Sequence, residues 1–578
     1  MERTAGNGLL AALESLRRRL DHDLLPLAIG DIDHDRRLLA ELTGQLDDYL
    51  LPRLRDIDAP LLAVVGGSTG AGKSTLVNSL VDADVTEPGV LRPTTLVPTL
   101  VAAPADAPWF TEQHVLPGLP RVTGDGAGEP GTLRVLVAPA LTGGLALLDA
   151  PDIDSVVTAN RELAAQLLAA ADLWVFVTTA ARYADEVPWS FLRAARERST
   201  ALAVVLDRVP PEGAGVVEDD LARLLAANGL PGTRLFAVPE VPLPAEGGRL
   251  PAEAVRPIAE WLTGIAVDAR ARASIIRQTL SGALTSLGDR VPALADAAER
   301  QLAGEQRLRE AVETAYREGM ARFDDGLRDG SLLRGEVLAR WQDFIGTGDL
   351  MRSLESRVGR ARDRVVAFLT GRPMPERRLR AALETGVEAL IAGVADDAAE
   401  RTLEAWAADP AGRDLLDRIG AVTTGRLARA SADLPRAAES AVRAWQEYVV
   451  DLVRQEGQDR RTTARLASFG VNGAGLVLMI AAFASTGGLT GVEVGIAGGT
   501  SLLSQKLLEA IFGDQAVRTL TAKARVDLRL RARELLSAEA ARFTAYLDEL
   551  GPPSDAPGAL RAAADAVRAH RSEMERLG

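Results

Sequence analysis

Apolar residues recur every three or four positions over most of this chain, and only between residues 61 and 262 does the pattern change to short, continuous apolar runs. Near the start, Leu9, Leu10, Leu13, Leu16 and Leu20, then Leu38, Leu39, Leu42, Leu46 and Leu50, keep helical spacing on either side of a break at Pro26 and Gly30. Two amphipathic helices are predicted there, and their apolar stripes need a partner surface, expected from helices far along the chain. From 61 to 262, strands are predicted at 61–65, 96–102, 133–137, 145–148, 173–177, 202–206 and 235–238, with helices over 74–81, 158–171 and 191–198. That alternation implies a mainly parallel sheet with helices on both faces. The segment 103–131, with five prolines and five glycines, reads as a surface loop or insertion.

Beyond residue 268 the pattern returns to nearly continuous helix, rich in Ala, Leu, Arg and Glu, with breaks at Gly346-Thr347-Gly348 and Gly371-Arg372-Pro373. A bundle or an elongated stalk satisfies such a stretch, with coiled-coil packing of long helices. Trp341, Phe344 and Trp406 are expected to be core or interface anchors. Residues 466–492 then form a run of 27 without a charge, long enough against the roughly 20 apolar residues a bilayer span takes. Arg460, Arg461 and Arg465 precede it, and Lys506, Arg518, Lys523 and Arg525 follow, which suits a hairpin entering a membrane from one side and returning. The many glycines also fit a tightly packed hairpin buried in a helical bundle. Charged amphipathic helices close the chain over 514–537 and 559–576, separated by a break at Gly551-Pro552-Pro553.

At 578 residues, two or three domains are expected. The pattern divides them into N-terminal helices (1–57), an α/β domain (58–265), an all-α stalk or bundle (266–465), a hydrophobic hairpin (466–512) and returning C-terminal helices (513–578). A net charge of −14 argues against a broad grip on nucleic acid, so none is expected as a partner. The chain has no cysteine, which removes disulfide and thiolate chemistry. Its first thirty residues show no export signal, so a cytosolic place, or one on the cytosolic face of a membrane, is expected. Asp21-His22-Asp23 and Asp33-His34-Asp35 sit at helix breaks and read as solvated end caps rather than metal ligands.

The chemistry concentrates where the first apolar strand ends. Residues 67–74 match G-x-x-x-x-G-K-[ST]: Gly67, Ser68, Thr69, Gly70, Ala71, Gly72, Lys73 and Ser74, followed by Thr75. Glycines let backbone N–H groups turn inward around phosphate oxygens, and the opening helix adds its positive end. In that loop Lys73 reaches the β- and γ-phosphates and Ser74 ligates magnesium. Two constellations follow in order. Arg92-Pro93-Thr94-Thr95 places a threonine, Thr95 or Thr94, in a loop before a strand, where it would complete the magnesium shell and sense the γ-phosphate. Leu145-Ala146-Leu147-Leu148-Asp149 is an apolar strand ending in a carboxylate that serves the metal.

Together, GGSTGAGKST, RPTT and LLDAPD resemble the dynamin superfamily of large GTPases, in particular bacterial dynamin-like proteins, over about residues 60–240. The resemblance implies a GTPase domain with a helical stalk, GTP and Mg2+ as ligands, and membrane lipid as a partner. It also implies self-assembly or pairing with a related dynamin-like protein at the cytoplasmic side of the cell membrane. By it, Lys73 and Ser74 bind phosphate and magnesium, Thr95 or Thr94 is the first-switch threonine, Asp149 begins the second switch, and Thr69 stands where dynamins orient water. It further suggests that the leading and closing helices form a neck. Two departures are visible. Asp149-Ala150-Pro151-Asp152 ends on Asp152 where the family has glycine, bringing a carboxylate towards an anion, which implies slow hydrolysis. The base-reading motif appears as Asp207-Arg208-Val209-Pro210, in which Asp207 substitutes for the missing carboxylate and Arg208 lies along the base, or which is a plain turn.

Overall fold

The computed structural model describes residues 2–86, 97–124, 128–155, 157–210, 212, 214–243, 248–328, 332, 336–337, 339–340, 375–456, 471–483 and 512–577. Two compact units emerge: Met1–Leu25, Asp31–Arg300 and Pro552–Gly578 form one, and Pro26–Gly30 and Gln301–Gly551 the other.

The first unit is built on an eight-stranded sheet. Its strands are β1 (Leu61–Gly67), β2 (Thr99–Ala102), β3 (Arg121–Thr123), β4 (Leu133–Val137), β5 (Leu145–Asp149), β6 (Leu173–Thr179), β7 (Ala201–Val209) and β8 (Arg234–Pro239). The order is β3-β4-β2-β5-β1-β6-β7-β8, and every neighbouring pair is parallel except β2 with β5. Because successive side chains point to opposite faces, each central run serves two cores. Leu62, Val64, Leu148 and Trp174 pack against helices Thr158–Ala169, Glu186–Glu197 and Ala214–Ala227. Leu61, Ala63, Val65 and Leu147 pack against helices Lys73–Val81 and Ala252–Val267. The continuous apolar runs reflect burial on both faces.

The segment 103–131 is more ordered than a surface loop. It carries a short helix, Ala107–Thr111, and edge strand β3, and it sends Phe110 and Leu116 into the core. Arg121 holds it together by donating to the carbonyls of Phe110, Val115, Leu116 and Leu119. The turn residues disguised this local framework.

The leucine stripes of the leading helices find their partners within the same unit. Leu9, Leu13, Leu39, Leu42 and Leu46 bury against Leu284, Leu287 and Val291 of the helix Ala269–Arg328 and against Leu560 and Val567 of the closing helix Ala556–Leu577. Arg53, just after those stripes, forms a buried ion pair with Asp172, which also accepts the Leu62 N–H at 2.9 Å at the start of β1. The helical cluster is thereby tied to the sheet. Asp31 caps the helix Ile32–Gln45 by accepting the His34 N–H at 3.3 Å, and Asp35 pairs with Arg300 at 2.7 Å.

The second unit is helical. It combines the rest of Ala269–Arg328 with Pro375–Ala408, Pro410–Leu427, Leu434–Glu456, Val471–Phe483 and Asp514–Leu550. Trp406 is fully buried, donates to the Leu308 carbonyl at 3.0 Å and meets Phe543 edge-on at 5.6 Å. Trp341 and Phe344 lie outside the described residues. Of the uncharged run, the described part is the helix Val471–Phe483, whose residues from Ala474 onward are all buried in this core. Phe483 packs tilted against Trp445 with ring centres 5.4 Å apart, and Arg525 donates to the Ala482 carbonyl at 2.5 Å. No helix among the described residues is long and apolar enough to cross a membrane.

Candidate functional site

At the carboxyl end of the central strand the chain turns from β1 into the helix Lys73–Val81. Two glycines make the turn feasible. A Cβ at Gly67 would lie 2.0 Å from the Val177 carbonyl oxygen, so no side chain fits between β1 and β6. Gly72 has φ +94°, and a Cβ there would lie 2.5 Å from Asp207 Oδ2.

Lys73 folds back into this loop. Its Nζ donates to the Gly67 and Ser68 carbonyls, each at 3.0 Å, and to Asp152 Oδ1 at 2.6 Å. All three ammonium donors are thus engaged. Both partners of the ion pair are buried, with side chains 4 and 8% exposed. The next two carbonyls of the loop are held by arginines: Arg182 donates to Thr69 at 3.2 Å and Arg208 to Gly70 at 3.0 Å. Four consecutive carbonyls, from Gly67 to Gly70, are therefore taken up by cations. Those carbonyls are thereby satisfied within the protein.

Ser74 Oγ donates to Asp149 Oδ2 at 2.7 Å, joining the start of the helix to the end of β5. Asp149 is fully buried, and its other oxygen, Oδ1, has no hydrogen-bond partner. Burial pushes the Asp149 carboxyl up to about 6, against the Ser74 hydrogen bond and the Lys73 charge, which hold it down. A serine hydroxyl beside a carboxylate with an orphaned oxygen is the hard-oxygen donor set that magnesium takes. Ser74 and Asp149 therefore fit that ion.

Several participants were not singled out in the sequence. Asp154 Oδ1 accepts both the Thr69 N–H, at 2.6 Å, and the Thr69 hydroxyl, at 2.7 Å, while its Oδ2 accepts Arg182 at 3.0 Å. Those hydrogen bonds hold the Asp154 carboxyl below its ordinary value although burial, the largest influence, pushes it up. Thr86 donates to the Ser74 carbonyl at 3.3 Å and is fixed by Asn78, which accepts the Thr86 N–H at 2.9 Å and donates to its carbonyl at 2.8 Å. Only Asp154, in the same short run as Asp152, had a local signal, an acid two positions on.

At the end of β7 the register is lost between Leu206 and Val209, and Arg208 takes φ +54°. Such an irregularity re-aims side chains, and here Arg208 reaches the Gly70 carbonyl of the glycine-rich loop. Burial raises the Asp207 carboxyl above the ordinary range, opposed by the Arg208 N–H and charge. Ser68 and Ala71 lie in the loop, and Thr75 in the first turn of the helix Lys73–Val81. Thr94, Thr95 and Arg92 lie outside the described residues.

No protein-family profile and no curated protein matches the chain. Among solved structures, it is similar to a member of an oligomerised bacterial dynamin pair described as a mechanism for long-range sensing and tethering of membranes. The likeness covers 98% of this chain and 95% of that one, at 10% identity and a TM-score of 0.38. A second structure of such a pair is covered to 96%, against 95% of this chain, at 10% identity and a TM-score of 0.37. LeoA, a bacterial dynamin GTPase from ETEC, is 12% identical over 95% of this chain and 99% of its own, with a TM-score of 0.24. The likeness is to bacterial dynamins. At these TM-scores it is too loose to assign an activity, which rests on the chain's own residues.

Proposed function

We propose that this chain is a dynamin-like GTPase that binds and hydrolyses GTP with Mg2+ at the loop 67–74 and couples this to self-assembly and to membrane binding and remodelling. The observation that carries the proposal is the convergence of Lys73, Ser74 and Asp149 at the carboxyl end of β1 and β5. In this reading Gly67 to Thr75 cradle the phosphates by their amides, and Lys73 neutralises charge on the β- and γ-oxygens. Ser74 and Asp149 would hold a magnesium ion, which would supply positive charge against that developing on the phosphate. Thr69 faces the terminal phosphate, Thr95 or Thr94 completes the metal shell, and Asp207 with Arg208 borders the base. Membrane lipid as partner, a homo-oligomer or a related paired protein, and a place on the cytoplasmic side of the cell membrane follow from the resemblance and from the tethering described for the similar pair.

A second reading, a nucleotide-dependent scaffold for GTP or ATP with little turnover, is favoured by the carboxylate of Asp152 on Lys73. Phosphate release by the full chain, with GTP or ATP and with or without anionic vesicles, separates the two. Vesicle-stimulated release that is absent from Lys73→Ala supports the GTPase; nucleotide binding without release supports the scaffold.

A further inference from the structure

The short segment after β5 carries two carboxylates into the phosphate cradle. Asp152 Oδ1 lies 2.6 Å from Lys73 Nζ, and Asp154 Oδ1 lies 2.6 Å from the Thr69 amide nitrogen and 2.7 Å from its hydroxyl. Between them Ile153 is fully buried in the sheet's core, with its N–H directed at the Gly67 carbonyl at 3.4 Å, which fixes the segment over the loop. Arg182 braces Asp154 from the outer side at 3.0 Å. An ammonium, an inward amide and a hydroxyl are the donors such a loop offers to phosphate oxygens. In this chain carboxylates occupy them.

Resting on the nucleotide reading above, we propose that Asp152 and Asp154 set the site's preference for phosphate number: they act as an internal substitute for the terminal phosphate and favour nucleoside diphosphate over triphosphate. A carboxylate oxygen and a phosphate oxygen compete for the same donors and repel each other at close range. A diphosphate needs only the inner part of the loop, and Lys73 can reach it by releasing one loop carbonyl while keeping Asp152. A triphosphate must expel both carboxylates before its last phosphate meets Lys73 and Thr69. Displacing Asp152 and Asp154 moves the segment after β5, so the exchange also couples the third phosphate to that segment.

The test measures equilibrium binding of GDP and of a non-hydrolysable GTP analogue, with magnesium, to the full chain and to Asp152→Asn, Asp154→Asn and the double variant. Asparagine keeps the shape and an acceptor oxygen while removing the charge. The native chain is expected to prefer GDP, and the double variant to shift the ratio of the two affinities towards the triphosphate by about tenfold or more, equivalent to about 1.4 kcal/mol. A ratio unchanged in every variant that melts as the native chain does overturns the proposal while leaving the nucleotide site standing. Failure of the native chain to bind either nucleotide overturns the site and the proposal together. Should the double variant fold poorly, Asp154→Asn alone, which leaves the Lys73 ion pair intact, is expected to shift the ratio in the same direction.

Discussion

Ser74 and Asp149, 75 positions apart in the chain, meet through a 2.7 Å hydrogen bond that leaves one buried oxygen of Asp149 without a partner. In the proposed reading, that oxygen and the serine hydroxyl are the donors a magnesium ion would take. Asp149→Ala is expected to weaken magnesium-dependent nucleotide binding by about 10- to 100-fold, the usual range when a group that supports a metal is removed. Nucleotide titrations across a magnesium series check this, and an unchanged magnesium requirement would remove Asp149 from the metal site.

Lys73 serves the fold as well as the proposed phosphate site. Lys73→Ala is expected to abolish nucleotide binding and also to strand Asp152, which is 7% exposed, as an unpaired buried charge. Breaking such a pair costs about 3–5 kcal/mol. Lys73→Ala/Asp152→Ala should recover much of that stability without recovering binding. Denaturant titrations of the nucleotide-free chain and its two variants measure the difference, and equal stability of the single and double variants would contradict the pairing.

Asp48 predicts a pH dependence. Burial pushes its carboxyl from 3.8 up to about 6, against the hydrogen bond from Gln166, with Asp47 adding to the rise and Arg121 opposing it. A raised carboxyl binds its proton more tightly in the folded chain than in the unfolded one, so folding is penalised at high pH. The penalty is complete above about pH 6, at about 3 kcal/mol, and fades as pH falls towards the unfolded value near 4. Asp48→Asn should therefore raise the melting temperature at pH 7.5 and lose that advantage towards pH 4. A pH-independent difference would contradict the assignment.

Leu478 lies fully buried in the helix Val471–Phe483, inside the core of the helical unit. Leu478→Ala is expected to cost about 2–5 kcal/mol of that unit's stability, as for other buried leucines. The same packing means that deleting 466–512 would strip part of this core, so vesicle binding is better tested on the intact chain. A neutral Leu478→Ala in thermal melts would place the helix elsewhere.

The parts of this protein that were legible in the sequence are those where local pattern and environment coincide. The run at 145–148 became a strand buried on both sheet faces, where apolar side chains serve two cores, and Asp149 marked its carboxyl end; the run at 133–137, half-buried and carrying Arg134, was legible from its apolar positions on either side of that arginine. Lys73 and Ser74 were legible from the glycines that their turn requires. Thr86, Asp154 and Arg182 were not, since each acts through partners supplied by topology: Arg182 reaches Thr69 across 113 positions and Asp154 reaches it across 85. The leading leucines announced that they needed a partner, but that Leu284 and Leu560 supply it emerges only from the packed helices. The 103–131 segment misled because five prolines and five glycines outweighed Phe110 and Leu116, the residues that anchor it.

A magnesium-dependent nucleotide site governed by Lys73, at the loop from Gly67 to Ser74, underlies the whole of the proposed function. Calorimetric titration of the full chain with GTP and with ATP, each with magnesium and with chelator, tests it most directly. Saturable binding of GTP that requires magnesium, exceeds that of ATP and disappears in Lys73→Ala is the predicted result. A folded native chain that binds neither nucleotide, or a Lys73→Ala chain that binds as the native one does, would contradict it.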